Sequence, residues 1–270
     1  GQPTQAKESR RMQVYAGMVE ALDFHIGRLI DYLEDIDALS NTVVIFMSDN
    51  GAEGNDVYHI VPGNDQWIDA NFDNSVENMG QASSYIGYGP RWAEVSMTPF
   101  RGFKGNVNQG GVLSPAFVSH PWFERQKGIY RGYVSVLDIV PTLLELAGVE
   151  STAPAGKFSP QGQSLLPLLT GVEEAVHPKE HVSAVELFNR RSVRKGDWKL
   201  IWQEPPYGIG DWQLYNLGSD RAEQNDIGQA HNAKQRELEV LWQQYEREKN
   251  VIIDPQLDLK YSSTNRHFDH

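Results

Sequence analysis

The sequence predicts an α/β domain followed by a small α+β lobe, and three observations carry that reading. An apolar run, Val43 to Met47, stops abruptly in Ser48-Asp49-Asn50-Gly51. Short, rich in β-branched residues and bounded by polar ones, it reads as a strand buried on both faces. An amphipathic pattern over Met12 to Leu39 precedes it, the helix-then-strand order of a layered α/β fold. Beyond a Pro-, Gly- and Ser-rich stretch at 151–162 the pattern changes to short alternating runs and then one helix, an antiparallel meander closed by a helix. The α/β part is therefore expected over 1–160 and the lobe over 161–270.

The first helix carries Met18, Leu22, Ile26, Leu29, Ile30 and Leu33 at three- and four-residue spacing, a stripe expected to pack on the sheet. His25, beside Ile26, reads as a surface or packing residue. The strand at Val43 ends where open α/β sheets gather their ligands. Asp49 and Asn50 present a carboxylate and an amide oxygen there, donors that suit Ca²⁺ or Mg²⁺. The same residues also serve as a plain turn, with Asp and Asn bonding local backbone. Residues 55–97 show little periodicity. Val76 to Tyr85 is expected as a short helix and Gly87 to Trp92 as loop, with Tyr85, Tyr88 and Trp92 either lining an aryl pocket or anchoring that loop.

Glycines at 102, 105, 110 and 111 then surround Lys104 in a loop of close backbone approach. Lys104 is either a solvated surface lysine or a point charge that neutralises an anionic group. In the second case the attraction is about 4 kcal/mol at about 4 Å and an effective dielectric near 20, before desolvation. Pro115 to His120 reads as a second strand, with a turn at His120-Pro121-Trp122. Ser135 to Ala147 reads as a helix starting at about Asp138, because Pro141 is tolerated only in the first turn. Asp138 is its cap and Gly148 lies just past its end. In the lobe, strands are expected over His181 to Phe188, Arg191 to Arg194, Trp198 to Trp202 and Trp212 to Tyr215. A helix from Gln235 to Glu248 follows, with Leu238, Leu241, Trp242 and Tyr245 on one face. The last twenty residues are polar and expected to line the surface or fray.

The 270 residues are enough for a large core. A net charge of −12 argues against a nucleic-acid partner, while a local cationic pocket still admits a small anion. With no cysteine, disulfides and thiolate metal sites are excluded and the compartment is left open. No apolar run approaches the roughly 20 residues of a membrane span.

Four motifs together resemble one family. They are Phe46-Met47-Ser48-Asp49-Asn50-Gly51-Ala52-Glu53-Gly54, Phe103-Lys104-Gly105 with Gln109-Gly110-Gly111, the run from Asp138 to Gly148, and Lys195-Gly196-Asp197-Trp198-Lys199-Leu200. In this order and spacing, from about Val14 to Val251, the chain resembles the carboxyl-terminal half of a formylglycine-dependent sulfatase of the bacterial arylsulfatase kind. Gln109 stands where many relatives carry Glu. The resemblance implies a partial alkaline-phosphatase-like sheet with a small C-terminal sheet-and-helix lobe. It implies that Asp49 and Asn50 ligate Ca²⁺ in preference to Mg²⁺, that Lys104 contacts the sulfate group, and that the substrate is a sulfate ester, a small aryl sulfate or a sulfated sugar. In the family a cysteine is oxidised to formylglycine, whose hydrate attacks sulfur. No such cysteine, and no serine version of its motif, occurs in this sequence. The resemblance thus implies that the chain is a fragment or one product of a divided gene, inactive without its N-terminal half. A phosphonate monoester or phosphodiester hydrolase of the same superfamily, or a non-catalytic scaffold, are the alternative readings.

Overall fold

The structure is a computed structural model and describes residues 5–58, 63–123, 128–153 and 155–254; all but the first few of the last twenty residues lie outside it. By contact density the described chain forms two compact units, one from 5–32, 47–116 and 182–254 and one from 33–46 and 117–181.

Helix α1 spans Gln5–Asp35 and ends where Asp37 takes a left-handed φ of 54°, a conformation that cannot continue a right-handed helix. Within the first unit it is tied to the 79–92 segment. Arg10 Nε donates to Met79 O at 3.2 Å, Trp92 Nε1 donates to Glu8 O at 3.1 Å, and Tyr15 stacks on Tyr88. The stripe expected to pack on a sheet does not do so among the described residues. Helix α1 buries none of its side chains, and Met18, Leu22 and Leu29 are 66, 48 and 56 % exposed.

Strand β1, Val44–Met47, pairs with β2, Ala116–Ser119, in a two-stranded sheet. Helices α2, Asn64–Asn71, and α3, Gly89–Met97, follow β1. The sequence reading missed both. Only Ile68 of α2 is buried, so α2 carries no apolar stripe. In α3 Pro90 occupies the first turn, where its missing N–H costs nothing, so a turn-like Gly-Pro pair opens a helix. The helix expected at 76–85 is instead a run of turns. Asp73 accepts from Ser75 N–H at 2.9 Å and Asn78 Nδ2 donates to Asp73 O at 2.6 Å, side chains outcompeting the helical backbone pattern.

A single helical turn, α4, covers Gln109–Val112 of the first unit. In the second unit, α5, Ile139–Leu146, is entered through a capping box. Ser135 Oγ accepts from Leu137 N–H and Asp138 Oδ2 accepts from Ser135 N–H at 2.7 Å, which satisfies orphan donors of the first turn. Asp138 does more than cap. Fully buried, it also accepts from Gln163 N–H at 2.9 Å and lies 2.9 Å from His177 Nε2. It thereby pins the stretch before α6, Leu166–Leu169, to α5. Gly148 has φ 69°, and its N–H and that of Val149 close the helix on Glu145 O and Leu144 O, the expected C-terminal glycine. Gly148→Ala is expected to lower stability by about 1–2 kcal/mol through left-handed strain, read from the urea midpoint.

The four strands and the helix expected beyond 181 are present. Strands β3, Val182–Leu187, β4, Arg190–Lys195, β5, Trp198–Trp202, and β6, Trp212–Asn216, form an antiparallel sheet in sequential order. Helix α7, Asn232–Lys249, covers one face, where Val193, Leu200 and Leu214 pack with Leu238 and Trp242. The opposite face is buried as well, and what buries it belongs to the candidate site.

Candidate active site

The turn after β1 is fixed by its own short bonds. Ser48 N–H donates to Pro115 O at 3.0 Å, Ser48 Oγ to Asn50 O at 3.1 Å, and Asn50 Nδ2 to Gly51 O at 2.9 Å. With its amide nitrogen occupied, Asn50 keeps Oδ1 as a free-lying acceptor. The neighbouring Asp49 is exposed, and its carboxylate has no partner among the described residues.

This turn interlocks with the loop that carries Lys104. Lys104 N–H donates to Ala52 O at 3.0 Å. A Cβ on Gly51 would lie 2.1 Å from Gly110 O, and one on Gly54 would lie 2.4 Å from the Phe103 ring, so the two backbones approach closer than any side chain allows. The Lys104 ammonium lies 2.7 Å from Glu53, with both side chains nearly half exposed. Sequence reasoning did not single out Glu53; it is the counter-charge that holds the ammonium at this turn.

The loop lies on the face of the lobe sheet that α7 leaves free, and β5 grips it at alternate residues. Lys199 Nζ donates to Gln109 Oε1 at 3.1 Å. Ile201 packs with Val107 and Tyr215. Gln203, just beyond the strand, accepts from Val107 N–H at 3.2 Å and donates to Asn108 Oδ1 at 2.6 Å. The period of two that puts Leu200 against α7 thus aims Lys199, Ile201 and Gln203 at the loop. Arg190 of β4 donates to Gly105 O and lies over the Tyr207 ring.

Beneath the loop is a buried ion pair. Lys199 Nζ lies 2.7 Å from Glu223 Oε1, with the side chains 3 and 0 % exposed, and Glu223 Oε2 accepts from Gln109 N–H at 2.7 Å. Burial pushes the Lys199 pKa below the ordinary lysine value, and the Glu223 charge pulls it back up. Glu223 adopts a left-handed φ of 55° to make these contacts, at a backbone cost of about 1–2 kcal/mol. None of this pair was read from the sequence, since a lysine alternating with apolar residues in a strand looks like a solvent-facing position.

The remaining aromatic candidates divide. Trp92 anchors the segment to α1 through its indole N–H, and Tyr85 packs against Trp67 and Phe72. Tyr88 and Asn50 line a cavity of about 550 Å³. His120 lies in the expected turn, accepting at O from Phe123 N–H at 3.1 Å.

The Sulfatase family profile matches residues 1–149, more than half of the chain. The chain belongs to the sulfatase family. It is 41 % identical over 261 residues to an uncharacterized sulfatase of Schizosaccharomyces pombe, covering 93 % of this chain and 46 % of that protein. It is 32 % identical over 183 residues to an arylsulfatase of Klebsiella aerogenes, covering 67 % of this chain and 38 % of the relative. This sulfatase chain therefore spans less than half the length of these curated relatives. The solved structure of Ps i-CgsB in complex with k-i-k-neocarrahexaose matches 99 % of the chain and 52 % of its own, with a TM-score of 0.63 at 19 % identity. The fold is thus the partial alkaline-phosphatase-like α/β fold of sulfatases, with its C-terminal lobe.

The donor set of this sulfatase turn suits a hard cation in part. Asp49 and Asn50 offer two adjacent oxygens, whereas Ca²⁺ takes about 6–8. The described residues contain no cluster of three or more His, Cys, Asp or Glu side chains that could hold a metal. The turn alone offers only two of the oxygens that such a shell would need.

Proposed function

We propose that this chain is the part of a sulfate ester hydrolase that contributes Asp49 and Asn50 to a Ca²⁺ site, in preference to Mg²⁺, and Lys104 to the sulfate group. The observation that carries the reading is the interlock of the Asp49-Asn50 turn with the Lys104 loop, tied at Ala52 O and closed by Gly51 against Gly110. A bound divalent ion would draw charge from the sulfuryl oxygens. The chain's own residues do the rest. Asn50 and Asp49 fix where the ion sits, the Lys104 ammonium offsets the negative charge of the ester and of the released sulfate, and Glu53 holds that ammonium until the anion arrives. The 270 residues contain no cysteine, so the family's formylglycine nucleophile has to come from sequence outside them. The complementary half of the fold is the partner proposed for the exposed stripe of Met18, Leu22 and Leu29, apolar surface that water otherwise covers at a cost of about 25 cal/mol per Å².

The test is an assay of para-nitrophenyl sulfate with the chain alone and with the chain joined to a complementary sulfatase half. Turnover is expected only from the joined form, and turnover by these residues alone overturns the proposal. Asp49→Asn in the joined form is expected to weaken Ca²⁺ binding by at least about 10–100-fold, the loss seen when only the partners of a metal ligand are altered, measured by calcium titration calorimetry.

A further inference from the structure

Phe188 and Asn189 form the short turn from β3 to β4, with Leu187 paired to Arg190. Their φ angles are 55° and 66°, the positive values that the tightest hairpins require. Asn adopts this region readily, whereas a residue as bulky as Phe rarely does. Such strain persists where surrounding contacts over-determine it, and it gathers at functional sites. Here Asn189 N–H donates to Glu186 Oε1 at 2.7 Å, and Asp254 N–H donates to Asn189 Oδ1 at 2.9 Å. What the turn delivers is Arg190. Val193 of the same strand packs against α7, so Arg190, an odd number of residues away, faces the Lys104 loop.

Arg190 is 5 % exposed, and its side chain is fixed on three sides. Nε and Nη2 donate to Glu204 Oε1 at 3.0 and 2.7 Å. The guanidinium lies 3.8 Å from the centroid of the Tyr207 ring. Nη1 donates to Gly105 O. A planar fork clamped in this way has one orientation, which an ammonium on a flexible stem lacks. Gly105 directly follows Lys104, whose own N–H is held on Ala52 O at 3.0 Å. The lysine backbone is thus bracketed, on one side by the turn after β1 and on the other by the lobe. Its tip is held differently. The pair with Glu53 is nearly half exposed and has to open when an anion takes the ammonium. From then on the bracketed backbone sets where the ammonium stands. Lys199 and Gln203 grip the loop farther along, at 107–109.

We infer that Arg190 is a positioning residue for sulfate ester hydrolysis, acting through Gly105 O to hold the Lys104 ammonium at one place against the sulfuryl oxygens. The inference rests on the reading of Lys104 given above. A charge placed before the reaction needs no reorganisation as negative charge develops, and a misplacement of about 1 Å costs up to about 10²-fold in rate.

The experiment measures kcat and KM for para-nitrophenyl sulfate in the joined form, for the unaltered enzyme, Arg190→Lys, Lys104→Ala and the two substitutions combined. Arg190→Lys keeps a charge opposite Glu204 but cannot serve Glu204 and Gly105 O in the same geometry. It is expected to lower kcat about 10–100-fold, and kcat more than KM, because placement matters most where charge develops. In the Lys104→Ala background the same substitution is expected to cost nothing further, since the group it acts through is gone. A residue that merely keeps the lobe folded would lower kcat by the same factor in both backgrounds. Urea midpoints establish that each variant is folded under assay conditions. If Arg190→Lys does not fold, the cycle is run with Glu204→Gln, which removes the charge that fixes the fork, and the same pattern is expected with a smaller loss. For either variant, an unchanged kcat or equal factors in the two backgrounds overturn the inference and leave the reading of Lys104 standing. An unchanged kcat in Lys104→Ala sinks that reading and this inference with it.

Discussion

Replacing Lys199 by Met is expected to destabilise the chain by about 3–5 kcal/mol, the cost of leaving one member of a buried ion pair unpaired. Glu223 is fully buried, and without the ammonium its charge faces protein on all sides. The loss is expected to appear first in the Lys104 loop, because Gln109 loses the Lys199 bond to its side chain while its N–H remains on a carboxylate left unpaired. Hydrogen exchange at the Val107 and Gln109 amides should accelerate more than at Leu238 of α7. Combining Lys199→Met with Glu223→Gln should recover much of the loss, since the Gln amide oxygen still accepts from Gln109 N–H and no buried charge remains. A Lys199→Met chain with an unchanged urea midpoint would show that the pair is not desolvated.

Replacing Lys104 by Ala is expected to do the reverse, with little effect on stability and a large effect on turnover. Its pair with Glu53 is nearly half exposed on both sides, and such pairs contribute about 0–1 kcal/mol. In the joined enzyme, removing one preorganised positive group from the developing charge on sulfate is expected to lower kcat about 10²–10³-fold. Lys104→Arg should keep the charge but not the fit, because a planar guanidinium is wider than an ammonium, and should recover only part of the rate. Unchanged kcat for para-nitrophenyl sulfate in Lys104→Ala would remove this residue from the site.

The two outcomes divide the loop's residues by what they touch. Lys199 and Glu223 decide whether the loop has one conformation, and Lys104 decides what that conformation presents. Glu53 belongs with the second group, and Glu53→Gln is the natural control, because it frees the ammonium without altering the interlock at Ala52 O and Gly51.

Much of the architecture was legible from local pattern. The meander of β3 to β6 followed by α7 could be read because alternation of apolar residues and turn pairs such as Gly196-Asp197 are encoded within a few positions. The capping role of Asp138 and the stop at Gly148 were legible for the same reason. Helices α2 and α3 were not, because neither carries a buried stripe, and the helix expected at 76–85 was lost to Asp73 and Asn78, whose side chains bond the backbone locally. The packing of α1 was misread because a periodic stripe shows that a helix has an apolar face and not what covers it.

By itself the sequence determined two features of the candidate site, a strand ending in Asp49-Asn50 and a glycine-rich loop around Lys104, each recognisable from composition over about a dozen residues. Only the tertiary structure decided that these two interlock, that Glu53 faces Lys104, and that alternate residues of β5 clasp a loop some 90 positions earlier in the chain. The physical reason is that backbone propensity and side-chain period are short-range, whereas the partner of a buried lysine is chosen by long-range packing. In a strand, Lys199 carries the same local signal whether it faces water or Glu223.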